Sequence, residues 1–211
     1  EWQVLDLIGE DCLVDRLRAV LPAPRLIRYE EACIDTDVDP VELYEWSARV
    51  ASATFEDIGY VEVVLRSAIA EQICAKYGID WYTRTDILDD PTLRLIERAL
   101  ISGRIDQLQT SPEVKHGKLV ATLMFGFWVK ILGKGSRYHG QRRIYDTVIW
   151  KEAVRGAFPA AGDFDRAIVE RAVRDLKELR NRVAHHEHII WGVPIPGQQL
   201  NGIPRRDTLA E

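Results

Sequence analysis

The chain has 211 residues, of which 46% are hydrophobic and 29% charged, proportions typical of a globular protein. Its formal net charge of −5 argues against binding nucleic acid through overall charge but permits a local basic patch. No apolar run approaches the roughly 20 residues that cross a bilayer, so no membrane contact is predicted. Three widely spaced cysteines predict no disulfide framework and favour a reducing, cytoplasmic location.

The first 38 residues predict a helical N-terminal segment. Apolar residues recur at helical spacing over 2–20, with a break near Gly9, and Pro24 suits the first turn of a short helix ending near Cys33. An acidic loop follows, and it ends in Asp39-Pro40, an N-cap and first-turn pair.

A single very long helix is predicted over about 40–77. After Pro40 this stretch contains no proline and one glycine, Gly59, where the helix could kink, and its apolar residues recur every three or four positions. Gly78 predicts the helix end. Such a helix, much longer than the average, predicts the spine of a bundle.

The remaining chain predicts further helices and then a loose tail. We expect helices over 90–108, 112–132, 142–157 and 164–186, the last capped by Asp163, and an extended or loose tail over 191–211. No window of alternating apolar and polar residues is long enough to build a sheet. The predicted class is therefore all-α, an antiparallel helical bundle over 39–190 with short connections.

The last helix ends in the most chemically promising stretch. Its predicted core stripe consists of Ile168, Ala172, Leu176, Leu179 and Val183. Arg180 falls at the edge of that stripe, Asn181 on the exposed side and His185 at the helix end. These three residues could therefore line one groove.

Their residue types suit cleavage of RNA without a metal. Because its ordinary pKa is near 6.5, a histidine can take the 2′-hydroxyl proton or give one to the leaving 5′-oxygen. An arginine can hold the charge that develops on the phosphate, and Asn181 could orient either group. A single histidine does not easily act on both faces of one phosphate, so a symmetric homodimer is predicted. The structural alternative is an arginine and histidines that merely complete the helix end.

Residues 179–187, LRNRVAHHE, resemble the signature of HEPN-domain proteins, specifically the Abi-like (abortive infection) branch. Residues 44–49 and 61–69 are similar to the long first helix of that branch, and residues 125–128, FGFW, to its central aromatic box. These blocks occur in the expected order over about 22–190, and several ordered blocks are more specific than one short motif.

The resemblance implies a HEPN-type bundle that dimerises and cleaves RNA without a metal or other cofactor, often in phage defence or as a toxin. Arg180, Asn181 and His185 fit the motif as catalytic residues, and His186 fits if the spacer is one residue longer. Glu62 and Arg66 are second-tier candidates, because Ser67 stands where the family pattern has Asn. Their structural alternative is an i,i+4 ion pair that supports the long helix.

Two other clusters each have a structural interpretation and a functional one. A basic patch around a glycine-rich turn is a solvated loop by default and, if RNA binds, the first choice for phosphate contacts; its members are Lys134, Arg137, Arg142 and Arg143. The cluster at 185–188, HHEH, resembles a metal site, but adjacent residues do not converge on one ion, so no metal is predicted.

The predicted function is a metal-independent endoribonuclease with RNA as its partner, working as a homodimer in phage defence or as a toxin. A neutralising RNA or protein partner is compatible with that role. The alternative is a non-catalytic helical dimer that binds RNA or protein in a defence or toxin–antitoxin system.

Overall fold

A computed structural model describes residues 10–162, 165–200 and 203–207, and these residues are mainly helical. The α-helices are α1 (Glu10–Val20), α2 (Ala23–Cys33), α3 (Pro40–Tyr77), α4 (Asp90–Ser102), α5 (Pro112–Thr122), α6 (Phe125–Ile131) and α7 (Arg166–Ala184). The predicted all-α class is confirmed. The beginning of the first predicted helix, over 2–9, and the predicted cap Asp163 lie outside the described residues.

The long helix α3 has 38 residues and begins and ends where the sequence predicted. Asp39 caps its start, since the Val41 N–H donates to Asp39 Oδ1 over 2.7 Å. The helix passes through Gly59 without interruption. It ends at Gly78, whose φ of +89° is the left-handed conformation that glycine adopts most easily.

Three of the predicted helices differ from those in the structure. The helix predicted over 90–108 ends at Ser102, because the chain turns at Gly103 and at Arg104, whose φ is +49°. The predicted helix over 112–132 divides into α5 and α6, because the intervening Leu123 and Met124 have extended backbones.

The predicted helix over 142–157 is largely replaced by other structure. Strands β1 (Arg137–Tyr138) and β2 (Gln141–Arg142) form a hairpin, followed by a π-helix at Asp146–Lys151 and a 3₁₀ helix at Val154–Ala157. Gly135 accounts for the hairpin, because its backbone approaches the Arg143 carbonyl so closely that a Cβ would lie 2.2 Å from that oxygen. Residues 146–151 and 154–157 remain helical but with π and 3₁₀ geometry.

The segment after residue 190 has an ordered backbone pairing. Strands β3 (Val193–Leu200) and β4 (Ile203–Asp207) pair antiparallel, with an irregularity in the register between Pro194 and Gln199. The expectation that no window would build a sheet is therefore corrected at two short hairpins. Prolines hid the strand pattern here, and a two-stranded ribbon tolerates them because each strand has an unpaired outer edge.

The chain forms two compact units. The first unit contains residues up to Glu56 together with those from Arg182 onward, and its core includes Leu26, Tyr29, Val41, Val183 and Ile189. The second unit runs from Asp57 to Asn181. Its core is larger and rich in aromatic residues, including Trp81, Phe127, Trp128, Tyr145 and Trp150. The three-segment division predicted from the sequence stays a prediction.

Two buried hydrogen-bond arrangements fix the core of the second unit. The Tyr145 O–H donates to Thr92 Oγ1 over 2.8 Å, and its oxygen accepts the Asp89 N–H over 3.0 Å. The fully buried Trp81 donates its indole N–H to His116 Nε2 over 2.9 Å. Burial lowers the pKa of His116, which keeps the ring neutral and able to accept this bond.

Across the described residues, none of the helices combines the length and apolar character needed to cross a membrane.

Candidate functional site

The end of α7 places Arg180 beside the buried side of the helix. The sequence predicted a core stripe through Ile168 and Ala172, but both residues are exposed. Val169 and Val173 are buried instead, so the first part of the stripe is displaced by one position, whereas Leu176 and Val183 face the core as predicted. Arg180 lies beside this stripe, with its side chain 37% exposed and its Nε atom buried, which agrees with the predicted position at the edge. A buried guanidinium nitrogen requires a polar partner.

Glu62 of α3 supplies that partner. Arg180 Nε lies 3.6 Å from Glu62 Oε2, and the Glu62 side chain is only 17% exposed. Both residues belong to the second unit. The alternative explanation of Glu62, an i,i+4 ion pair with Arg66, is not formed among the described residues. Glu62 and Arg180 are thus brought together from positions 118 residues apart in the printed sequence.

These residues border a concave surface of the second unit, which we call the cationic groove. Its volume is about 740 Å³, within the range of roughly 300–1,000 Å³ that small-molecule sites occupy. Its polar lining residues are Glu62, Arg66, Arg98, Ser102, Thr122, Lys177, Arg180 and Asn181, and its apolar wall includes Met124, Phe125 and Phe127. The aromatic box thus has a mixed role: Phe125, Phe127 and Trp128 are core residues, while Phe125 to Phe127 also line the groove.

The groove has four cationic side chains and one carboxylate. This balance favours an anionic ligand, because several positive groups around a concave surface raise the local potential even on a protein of net negative charge. The half-buried Asn181 adds an amide that can both donate and accept hydrogen bonds. The groove can therefore hold one phosphate of a nucleic-acid strand. It can also contact the groups next to that phosphate in the same strand.

Two of the cations, Arg98 and Lys177, were missed by the sequence analysis. Lys177 precedes Arg180 and Asn181 by three and four residues, so helical periodicity could have placed it on the same side of α7. No such signal exists for Arg98, because it comes from α4 and only the tertiary fold brings it to the groove. Lys177 also pairs with Glu178 at 3.0 Å.

The two candidate histidines follow the end of α7 and belong to the first unit. The Glu187 N–H donates to the Arg182 carbonyl and the His186 N–H to the Val183 carbonyl, which is the Schellman arrangement. His186 therefore occupies the left-handed position, with a φ of +54°, and His185 caps the helix. Both side chains are exposed. His186 lines a cavity of the first unit, and His185 is not among the lining residues of that cavity.

The predicted RNA-binding patch forms a basic hairpin apart from the groove lining. Arg137 and Arg142 are exposed and lie directly opposite each other in the β1–β2 pair. Like charges at opposed positions are destabilising unless an anion lies near them. Lys134 is also exposed, whereas Arg143 is anchored, since its Nε–H donates to the Thr85 carbonyl over 2.9 Å. Arg137 also donates from its guanidinium to the Gly140 carbonyl over 2.7 Å, so two of the four cations are bonded to the backbone.

Acidic, histidine and cysteine side chains are the groups that could ligate a metal ion. The described part of the chain contains no group of three or more such residues arranged to hold an ion. Glu187 of the 185–188 cluster pairs with Arg182 at 2.8 Å. His188 packs against Tyr29 and Trp191, with ring centroids 5.6 and 5.3 Å away. These two members of the cluster therefore have other structural contacts.

Comparison with protein-family models matches the chain to the Abi-like protein family over residues 35–191. The chain belongs to the Abi-like family. The match includes α3, the cationic groove and the end of α7, and the family suggests a role in abortive infection. Comparisons of this Abi-like protein with curated proteins and with solved structures gave no match.

Proposed function

We propose that this Abi-like protein is a HEPN-type, metal-independent endoribonuclease that acts in phage defence or as a toxin. The observation that carries the proposal is the cationic groove, in which Arg180 and Asn181 are joined by Arg66, Arg98 and Lys177. A groove with this charge balance suits the phosphates of a single RNA strand. The family assignment supports the defence role.

In the proposed reaction the ribose 2′-oxygen attacks the adjacent phosphorus. A histidine, His185 or His186, accepts the 2′-hydroxyl proton, and a second histidine protonates the departing 5′-oxygen. The P–O5′ bond breaks as the new P–O2′ bond forms, which leaves a 2′,3′-cyclic phosphate and a 5′-hydroxyl. Arg180 stabilises the negative charge that grows on the phosphate oxygens, and Glu62 orients its guanidinium.

Two histidines acting on opposite faces of the phosphate require two copies of the motif, and a homodimer supplies them. An exposed apolar patch of the second unit supports such an assembly. It consists of Tyr60, Val61, Val63 and Val64 on α3, with Val64 being 69% exposed. Contiguous apolar surface of this kind is typical of protein interfaces. A neutralising RNA or protein partner remains compatible with the proposal.

The test is cleavage of single-stranded RNA in EDTA by the full chain and its variants. Arg180→Ala should lower the rate about 100- to 1,000-fold, the usual effect of removing one donor to a developing oxyanion. Arg171→Ala is the matched control, because Arg171 is an exposed arginine on the same helix outside the groove. His185→Ala and His186→Ala identify the proton-transfer residue. Full activity of the Arg180 variant would contradict the proposal.

Binding of RNA without cleavage is the second candidate function. The opposed Arg137 and Arg142 favour it, because two exposed cations opposite each other could both contact one phosphate outside the groove. Arg137→Glu with Arg142→Glu should then weaken a gel shift, while the anchored Arg143 is left intact to preserve the hairpin. A gel shift with no cleavage product under any condition would favour this function over the nuclease.

A further inference from the structure

A second concave site lies within the first unit, and we call it the aromatic cavity. Its volume is about 440 Å³, and α2, the first half of α3 and residues 183–187 form its walls. The lining residues that matter for its chemistry are Arg25, Tyr29, Tyr44, Ser52, Phe55 and Glu187, together with His186. The cationic groove shares no lining residue with this cavity, and of the candidate motif residues only His186 lines it.

The aromatic wall of the cavity is supported by contacts of the buried Tyr29. The Tyr29 ring meets the Tyr44 ring edge-on, with centroids 5.3 Å apart. Tyr29 is only 2% exposed, and its O–H donates to Ser47 Oγ over 3.2 Å. Burial raises the pKa of Tyr29, so the hydroxyl keeps the proton that this bond needs. The contact with Tyr29 therefore helps to fix the position of the Tyr44 ring, and Phe55 adds a second ring that is 43% exposed.

The polar groups of the cavity are arranged around those rings. The Arg25 guanidinium lies 5.8 Å from the Tyr44 ring centroid and donates to the His186 carbonyl oxygen. The Glu187 carboxylate, held by Arg182 at 2.8 Å, is an acceptor at the same cavity. A stacking face, a nearby cation and an acceptor are the groups by which proteins recognise a nucleotide. The ring binds the base by stacking, the acceptor takes hydrogen bonds from its edge, and the cation attracts the phosphate.

The backbone at the cavity adds an independent observation. His186 holds a left-handed conformation that costs an L-residue free energy, and glycine is the usual occupant of this position. Such strain persists where the surroundings impose it, and it concentrates at functional sites. Here the Arg25 hydrogen bond and the Schellman arrangement impose it, and the result is an imidazole that lines the cavity.

We propose that the aromatic cavity binds the base of one ribonucleotide, stacked on Tyr44, with its phosphate drawn towards Arg25. The base comes either from a free mononucleotide or from a single-stranded RNA. Only the second source rests on the proposed nuclease function. In that case the cavity selects the base at one position of the substrate.

The test is isothermal titration of the full chain with the four ribonucleoside monophosphates and with a short single-stranded oligoribonucleotide. Tyr44→Ala should weaken binding about 5- to 150-fold, the effect of losing one base–aromatic stack. Tyr44→Phe keeps the ring and should retain the affinity. Trp46→Ala is the matched control, because Trp46 is an exposed aromatic residue of the same helix that does not line the cavity. Ser52→Phe, at an exposed lining position, should block the cavity without removing a buried group.

Binding of a monophosphate that is lost in Tyr44→Ala and Ser52→Phe supports a free nucleotide as the ligand. If only the oligonucleotide binds, and Tyr44→Ala and Ser52→Phe lose that binding, the result supports a base of an RNA strand as the ligand. The inference is overturned if neither ligand binds at millimolar concentration, or if Tyr44→Ala and Trp46→Ala behave alike. Monophosphate binding without RNA cleavage would retain the cavity and overturn the nuclease. Cleavage whose base preference is unchanged in a folded Ser52→Phe variant would overturn the selection of an RNA base by the cavity and retain the nuclease.

Discussion

The cationic groove and the aromatic cavity differ in chemistry, and we propose that they bind different parts of a nucleotide. The groove has four cations around one carboxylate, whereas the cavity has tyrosine and phenylalanine rings with one arginine. Contacts with phosphates depend strongly on salt, because binding releases counterions, while base stacking depends on salt much less. The two surfaces can therefore be separated experimentally by their response to ionic strength.

The largest expected effect comes from reversing charge in the groove. Arg98→Glu with Lys177→Glu would remove two of the proposed phosphate contacts and should weaken RNA binding on the order of 100-fold, given the free energy of charged hydrogen bonds. The slope of log affinity against log salt should become shallower by about 0.7 for each lost contact. Tyr44→Ala should leave that slope unchanged, because a ring carries no charge. Fluorescence anisotropy at several salt concentrations measures both quantities.

Equal changes of slope in the groove variant and the cavity variant would remove the distinction between the surfaces. A control is available on the same helix as Lys177. Arg171→Glu reverses an exposed charge that does not line the groove, so it should change the slope much less.

The next effect concerns the stability of the unit that contains the groove. Because burial lowers the pKa of His116, the unfolded chain binds the proton first as the pH falls. The free energy of unfolding should therefore fall as the pH drops below 6.5, the ordinary value for histidine, towards the lower pKa of the folded state. Denaturant unfolding at several pH values, followed by tryptophan fluorescence, measures this dependence.

Two substitutions at His116 separate the hydrogen bond from the titration. His116→Gln offers an amide oxygen to the Trp81 N–H and does not titrate, so the acid dependence should decrease. His116→Phe leaves that buried donor unsatisfied and should cost about 1–3 kcal/mol at neutral pH. An unaltered pH dependence in the Gln variant would show that another group is responsible.

A smaller effect tests the strained residue of the cavity. His186→Gly should raise the free energy of unfolding by about 1 kcal/mol, because glycine adopts the left-handed conformation without strain. The Arg25 hydrogen bond is kept, since it goes to the backbone carbonyl. The neighbouring His185→Gly is the control and should destabilise, because its φ is not in the left-handed region. A gain in stability accompanied by a loss of cleavage or nucleotide binding would show that the strain serves function.

The sequence predicted elements that depend on local chemistry. The bounds of α3 follow from Asp39-Pro40 at one end and Gly78 at the other, and both act within a few residues of themselves. The pair Arg180 and Asn181 was likewise visible in one helical turn. The contribution of Arg98 was not, because α4 and α7 meet only through the tertiary packing of the second unit.

The π-helix and the hairpin before it were missed for a similar reason. The apolar spacing after residue 142 suits a helix, but Gly135 brings the backbone against the Arg143 carbonyl and imposes a turn. The aromatic cavity depends on contacts between residues 18 to 161 positions apart, such as Tyr29 with Ser47 and Arg25 with His186. No pattern of neighbouring residues encodes such pairs.

The smallest expected effect tests how much room the groove has at its aromatic wall. A Cβ at Gly126 would lie 3.8 Å from Lys177 Cε, which is an ordinary van der Waals contact. Gly126→Ala should therefore leave RNA binding unchanged and stabilise the chain by a few tenths of a kcal/mol, because alanine loses less backbone entropy in a helix. Gly126→Leu adds a side chain that extends into the groove, so it should weaken RNA binding while nucleotide binding at the aromatic cavity persists. If the leucine variant bound RNA normally, the strand would have to lie elsewhere, and the basic hairpin would become the principal phosphate contact.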